Sequence, residues 1–289
     1  MQKGYIYAVV AAVLFGSSGM FVKMVQADGL DSISLLTVQY MIAVVIMFSY
    51  ALLRNKKVLL VGKRSLMDLA VMGVIGSTGM TVCYYMAFEY LPVAVVTMLL
   101  YTYPVIVFIY TFIFEKGSMN VKKTAAIVMA FVGGVLALNI AGGNYSYPAI
   151  GIILGLMSAV FYAFINIFSE KRLEAVDALA INAYTTLFSL ITLCIYRFPS
   201  YVFRGEVNPD SILYIVLLAV FCEVLPLTLL YAAIKHIGAL KVSVISNIEI
   251  PTAIIMAYLF LYEKITLSQL AGSMLIVCAV ILIRNSERA

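Results

Sequence analysis

The sequence predicts an all-α integral membrane protein: ten transmembrane helices, arranged as two inverted five-helix repeats around a central cavity. Three observations predict it. Of the 289 residues, 64% are hydrophobic and only 11% are charged, whereas a soluble domain would carry about 25% charge. A window of about 19 residues finds apolar segments of spanning length along the whole chain. The second half of the chain also repeats the first at an offset of 146 residues.

The segments run 4–22, 32–53, 67–88, 92–114, 122–140, 149–169, 178–197, 211–234, 240–261 and 266–284. Met1 and Lys3 lead straight into the first, with no small-residue cleavage site, so no cleavable signal is expected. This segment carries GSSG at 16–19, either a close helix contact or a flexible stretch beside the cavity. The third has Gly73, Gly76 and Gly79, and the sixth has Gly151-x-x-x-Gly155; both patterns permit close helix approach. Pro104, Pro226 and Pro251 in the fourth, eighth and ninth are candidate hinges or static kinks. The second, fifth, seventh and tenth follow from length and apolarity, and connections are short throughout.

Orientation follows from Lys and Arg. With a cytoplasmic N-terminus, only Lys23, Arg197, Arg204 and Lys264 of the 19 cationic residues fall outside. Both termini are therefore expected to be cytoplasmic, in the cell's cytoplasmic membrane. The net charge of +5 lies in these short loops and is not a nucleic-acid footprint. Tyrosines such as Tyr5, Tyr50, Tyr145, Tyr147 and Tyr201 fit an interfacial belt.

The repeat is clearest where 83–104 matches 229–251. Tyr85 pairs with Tyr231, Ala87 with Ala233, Pro92 with Gly238 and Thr97 with Ser243, and the closing glutamates Glu115 and Glu263 follow. AVLF at 12–15 echoes AVFY at 159–162. Five helices is an odd number, so a second unit must enter the membrane in the opposite sense. The expected units are residues 1–143 and 144–289, and such repeats place a binding site near the midplane between the halves.

These residues carry a family resemblance. AAVLFGSSGMFVK, YYMAFEYLPVAVVTMLLYTYPVIVFIYTFIFEK, AVFYAFINIFSEKR and YAAIKHIGALKVSVISNIEIPTAIIMAYLFLYEKITLSQLAG cover the helix-1, 3–4, 6 and 8–10 regions. The chain resembles the ten-helix branch of the drug/metabolite transporter superfamily, built from two EamA-type units. The resemblance implies a carrier of amino acids, nucleotide-like metabolites, amines or drugs. It also implies a central cavity reached alternately from each side, and a full pathway in one chain. One departure stands out: the family's Glu-Pro in helix 9 is here Glu249-Ile250-Pro251.

Two carboxylates lie well inside apolar segments, Glu223 and Glu249, each shortly before a proline. A carboxyl group at membrane depth is costly unless protonated, paired or wetted, so it marks a pathway or binding site by default; a plain tie between helices is the alternative. Ser243, Ser246, Glu249 and Thr252 form a skewed stripe, with Asn247 on the other side. Pro251 would leave the carbonyl of Asn247 short of its partner. Ser158, Tyr162, Asn166 and Ser169 share one face of the sixth segment. Tyr84, Tyr85, Tyr101, Tyr103, Tyr162 and Tyr231 lie deep, where a ring can stack or hold a cation. Tyr101 is read as sharing a side with Thr97, Pro104 and Phe108. The candidate substrate-binding set is Glu249, Glu223, Tyr101, Tyr162, Asn166, Ser246 and Tyr84. Asn182, Thr185, Thr186, Ser189 and Thr192 of the seventh segment are read as ordinary helix contacts.

Several classes are excluded or disfavoured. No Walker A loop, H-E-x-x-H or G-x-S-x-G occurs, so neither direct ATP drive nor those enzyme chemistries is expected. Cys83, Cys194, Cys222 and Cys278 form no C-x-x-C, and no metal or cofactor is expected. His236 is the sole histidine and reads as interfacial. The expectation is a secondary carrier for a small amphipathic, cationic or amine-bearing metabolite, with the bilayer as its solvent and the proton as candidate coupling ion. The alternatives are an intramembrane enzyme on a lipid-linked substrate and a passive channel.

Overall fold

The computed structural model describes residues 2–17, 32–87, 89–91, 93–115, 120–138, 147–198, 209–261 and 265–285. Lys23, Pro92, Tyr145, Tyr201, Arg204, Glu263, Lys264 and the end of the GSSG stretch lie outside them. The described residues are almost wholly helical: α1 (Gln2–Gly16), α2 (Ser32–Asn55), α3 (Lys63–Ala87), α4 (Val93–Leu100 and Tyr103–Phe114) and α5 (Val121–Ala137). α6 (Ala149–Arg172), α7 (Ala178–Tyr196), α8 (Pro209–Leu218 through Leu225–Ile237), α9 (Ala239–Ser246 and Glu249–Leu261) and α10 (Leu267–Asn285) follow. Eight of these units are long and apolar enough to cross a membrane. α1 and α5, at 15 and 17 described residues, are shorter, since about 20 residues at 1.5 Å each are needed for the hydrocarbon core. The chain is a multi-pass, all-α membrane protein.

Helix starts follow local chemistry. Asp177 caps α7 by accepting from the Leu179 amide at 2.8 Å, and Asn120 caps α5 through the Lys123 amide at 2.9 Å. Thr266 and Gln269 open α10 with reciprocal side-chain-to-amide bonds of 2.8 and 3.2 Å, a capping box. Gly238, at φ +84°, is the sharp corner between α8 and α9, a conformation that a side chain would strain.

Four helices are irregular: α4, α8 and α9, beside the prolines read as hinges or kinks, and α3, which has no proline. α4 breaks at Tyr101 and Thr102, and α9 at Asn247 and Ile248. α3 and α8 each widen into a π-helical stretch, Met72–Ser77 and Ala219–Val224. Both kinds of irregularity recur at nearly the offset of the sequence repeat. The packing recurs in the same way: α1 lies on α8 and α9 as α6 lies on α3 and α4, while α2 meets α7, α4 meets α9 and α5 meets α10. At one end, Gly4 of α1 is pressed on His236 and Ile237; at α6, Gly151 is pressed on Tyr90 and Leu91.

Small residues set these distances. A Cβ on Gly73 would sit 2.7 Å from the Thr185 carbonyl of α7, and one on Gly155 would sit 2.6 Å from Leu99. Gly16 abuts Thr252 and the Glu249 carbonyl, so close packing is its role. The closest seam joins α5 to α10, where Gly133 and Gly272 bring backbone against backbone. His236 is exposed and stacks on Tyr7 with ring centroids 5.9 Å apart, as suits an interface.

The α5–α10 seam predicts a graded outcome. Gly272→Leu would drive a side chain into the backbone of Ala137 and Gly133, an overpacking that costs about 1–3 kcal/mol. The purified variant should melt several degrees below the parent in detergent. Gly62→Ala, with open space around it, should melt with the parent.

Candidate functional site

The two broken helices meet. Tyr103, the first residue of the second half of α4, donates from its hydroxyl to the Ser243 carbonyl of α9 at 3.3 Å. Pro104 follows it in the first turn, where a missing amide hydrogen matters least. In α9, the half-helix Glu249–Leu261 restarts with Glu249 in its first turn and Pro251 two residues on. A carboxylate at the positive end of a half-helix is favourably placed.

The carbonyl of Asn247, expected to lose its partner to Pro251, keeps one: it accepts from the Ile250 amide at 3.1 Å. The helix tightens there by one residue, which is how it absorbs the proline. Asn247 also does not sit away from the site. Its amide reaches back to the Ser243 and Val244 carbonyls at 3.0 and 3.2 Å, and its side chain lines a small cavity with Tyr101, Met98, Phe131, Gly134 and Leu138.

Around this junction stands an acidic and aromatic cluster. The Glu249 carboxylate, half-buried, is in hydrogen-bonding reach of the Tyr101 hydroxyl. The Tyr103 ring lies 4.4 Å from Tyr162 of α6 and 6.4 Å from Tyr101, centroid to centroid. Ser246 is buried beside them at 4% exposure. Tyr84 of α3 shares a hydrogen bond of 3.2 Å with Thr97 of α4 and lies within electrostatic range of Glu249. Tyr101 follows Thr97 by one regular turn, its amide bonding to the Thr97 carbonyl at 2.9 Å, and the break in α4 comes just after. Tyr101 faces Asn247 of α9 and Phe131 of α5, Thr97 pairs with Tyr84, and Phe108 lines an apolar groove with Ile127 and the same Phe131. Asn166 is fully buried and donates to the Tyr162 carbonyl at 2.8 Å, while its Oδ1 has no partner.

Glu223 occupies a different place. It lies in the π-helical stretch of α8, 6% exposed, and accepts from Thr186 of α7 at 3.2 Å. The Asn182 amide, also on α7, reaches the carbonyls of Glu223 and Val224 at 3.3 and 3.2 Å and the Thr228 hydroxyl at 3.1 Å. The π-helical stretch of α3 is met by the same helix: Ser189 donates to the Gly73 carbonyl at 2.9 Å. The polar face of α7, read from sequence as generic contact, thus satisfies both widened helices and holds Glu223. Pro226 follows one turn on, buried. The two carboxylates have different partners, and each lies within electrostatic range of both Tyr162 and Cys222. Among the described residues, no His, Cys, Asp or Glu group could hold a metal ion.

Asn182→Leu should remove four hydrogen bonds, three from its amide nitrogen and one that its Oδ1 accepts from Thr186, at about 0.6 kcal/mol each, the average for such bonds in a membrane bundle. A fall in melting temperature of the purified protein is expected. Thr192→Val, which loses only a bond to its own helix at Phe188, should hardly move it. With this geometry in place, comparison with known proteins is informative. The profile of the EamA-like transporter family matches residues 2–139 and again 149–285. An uncharacterized transporter of Clostridium kluyveri is 24% identical across 100% of this chain and 95% of its own length. A transporter of Archaeoglobus fulgidus is 27% identical over 98% and 96%, and the inner membrane transporter YicL of Salmonella typhimurium is 23% identical over 99% and 97%. A protein of known crystal structure superposes with a TM-score of 0.81 at 16% identity, covering 98% of this chain and 96% of its own, a likeness of fold. Two profile matches spanning nearly the whole sequence decide the matter: the chain belongs to the EamA-like transporter family.

Proposed function

We propose that this transporter is a secondary carrier of a small amphipathic compound bearing an amine or other positive charge, working by alternating access between two inverted halves, residues 1–143 and 144–289, in the cytoplasmic membrane. One observation carries the reading: a membrane-depth carboxylate, Glu249, lies beside Tyr101, the first of three neighbouring tyrosine rings with Tyr103 and Tyr162, where two discontinuous helices touch. Broken helices at a repeat interface are where carriers of this architecture bind substrate. A carboxylate supplies the counter-charge, and a desolvated cation over an aromatic face gains about 2 kcal/mol. Tyr101, Tyr162, Tyr84, Asn166 and Ser246 would complete the wall, and the buried, unpaired Asn166 Oδ1 is free to accept from an ammonium group.

Glu223 takes the second role, carrying a proton. Its environment of hydroxyl and amide groups on α7 suits exchange of a proton better than the binding of an organic cation. Tyr162, within electrostatic range of both carboxylates, would let each sense the charge of the other. The recurring packing supports two halves moving about a shared centre. Pro104, Pro226 and Pro251 sit at the irregular points where such motion would bend each helix.

A thermal-shift screen across amino acids, amines, quaternary ammonium compounds, nucleosides and sugar phosphates tests the substrate class, since a ligand of the folded state raises apparent stability. Cationic compounds should shift the melting point, and Glu249→Gln should abolish both the shift and saturable counterflow in liposomes. Stabilisation by anionic compounds alone would refute the charge assignment. Glu223→Gln should retain exchange while losing the response to an imposed pH gradient; an unaltered response would remove Glu223 from coupling.

A further inference from the structure

The ion pairs described in this molecule share a position. Lys171 pairs with Glu115, and Arg172 pairs with Asp68 at 3.1 Å. Lys171 and Arg172 are the last two residues of α6, Glu115 ends α4, and Asp68 lies in the first turns of α3. Each pair therefore joins the first half of the chain to the second, at one end of the bundle. The preceding residue, Glu170, points elsewhere: its carboxylate reaches the Ala239 amide at the start of α9, beside Gly238. Three consecutive charged residues thus grip three helices. Glu170 ties α6 to α9 within the second half, while Lys171 and Arg172 hold that joined unit against α4 and α3 of the first.

The same helices lead to the candidate site. α6 carries Asn166 one to two turns and Tyr162 two to three turns before the grip, and α9 runs from Ala239 to the break at Asn247 and Ile248. α4 runs back from Glu115 to Tyr103 and Tyr101. Movement of α6 and α9 away from α4 would part Tyr162 from Tyr103, the closest ring pair at the junction, and would first have to break both ion pairs. Side-chain exposures of 14–44% place the pairs where solvent can take over the charges once they separate. Such pairs are individually weak, which suits a contact that must open and close.

We propose that Glu170, Lys171 and Arg172 form a charged clamp that holds this end of the transport pathway shut, and that its release from Glu115 and Asp68 opens the site toward this end. The proposal rests on the alternating-access reading, but its test needs no substrate. The Lys- and Arg-rich stretches at 54–64 and 171–172 mark this end, which the charge bias assigns to the cytoplasm.

Spin labels at Leu60 and Glu174, exposed positions on the two halves at this end and outside the binding wall, report its width. With the four native cysteines replaced, the full chain in nanodiscs should give a dominant short distance. Glu115→Gln or Asp68→Asn should each raise a longer-distance population about two- to fivefold, as expected for exposed pairs, and the double variant should raise it further. The charge exchange Lys171→Glu with Glu115→Lys should return the distribution toward the parent, which a merely misfolded variant could not do. Unchanged distances in the double variant, or no recovery in the exchanged protein, would overturn the clamp. Loss of the carrier reading is seen separately: the parent protein would then fail to show saturable counterflow of any compound that stabilises it.

Discussion

Every break in a helix inside a bilayer frees backbone groups that lipid cannot satisfy, and the structure depends on how those groups are met. Four helices carry such breaks. The carbonyls opened in α3 and α8 are taken by Ser189 and Asn182 of one neighbour, α7. The breaks in α4 and α9 are met locally, by Thr102 bonding back to the Leu99 carbonyl at 2.6 Å and by the Asn247 amide, and mutually, by Tyr103 donating across to Ser243. Without these partners each irregular turn would cost more than a regular helix, and the tyrosines and carboxylates would not converge.

That constraint links fold to function. A regular α9 would carry Glu249 in mid-helix, where its charge meets only a polar stripe on its own surface. The break instead puts Glu249 in the opening turn of a half-helix and turns it toward Tyr101. A widened α8 likewise lets Glu223 face α7 with its own carbonyl and its carboxylate served by different side chains, Asn182 and Thr186. Polar groups here hold an arrangement in place more than they add stability, since each bond is individually modest.

Much of this was legible in the sequence. Apolar length alone located α2, α6, α7 and α10 to within a few residues, and the rarity of charge in the spans singled out Glu223 and Glu249. The irregularities of one half recur in the other at nearly the offset of the sequence repeat. What escaped was phase. A helical wheel assumes uniform steps of 100°, so a break at Asn247 resets every position beyond it, and Asn247 itself moves from the far side to the cavity wall. The π-helical stretches share no sequence signature: Met72–Ser77 carries glycines at 73 and 76, whereas Ala219–Val224 carries none. The role of Asn182 was hidden because the groups its amide reaches lie 41 to 46 residues away.

The seam between α5 and α10 has a mechanical meaning. Where two helices touch through glycine, backbone to backbone, no layer of side chains is left to compress or slide over. Pulling them apart would expose peptide groups to lipid tails, whereas turning one about the line of contact disturbs little. A joint of that kind resists separation and tolerates rotation, as an axle does. α5 also lines the small cavity beside Tyr101 and Asn247, so a turn at the axle would be felt directly at the tyrosine junction.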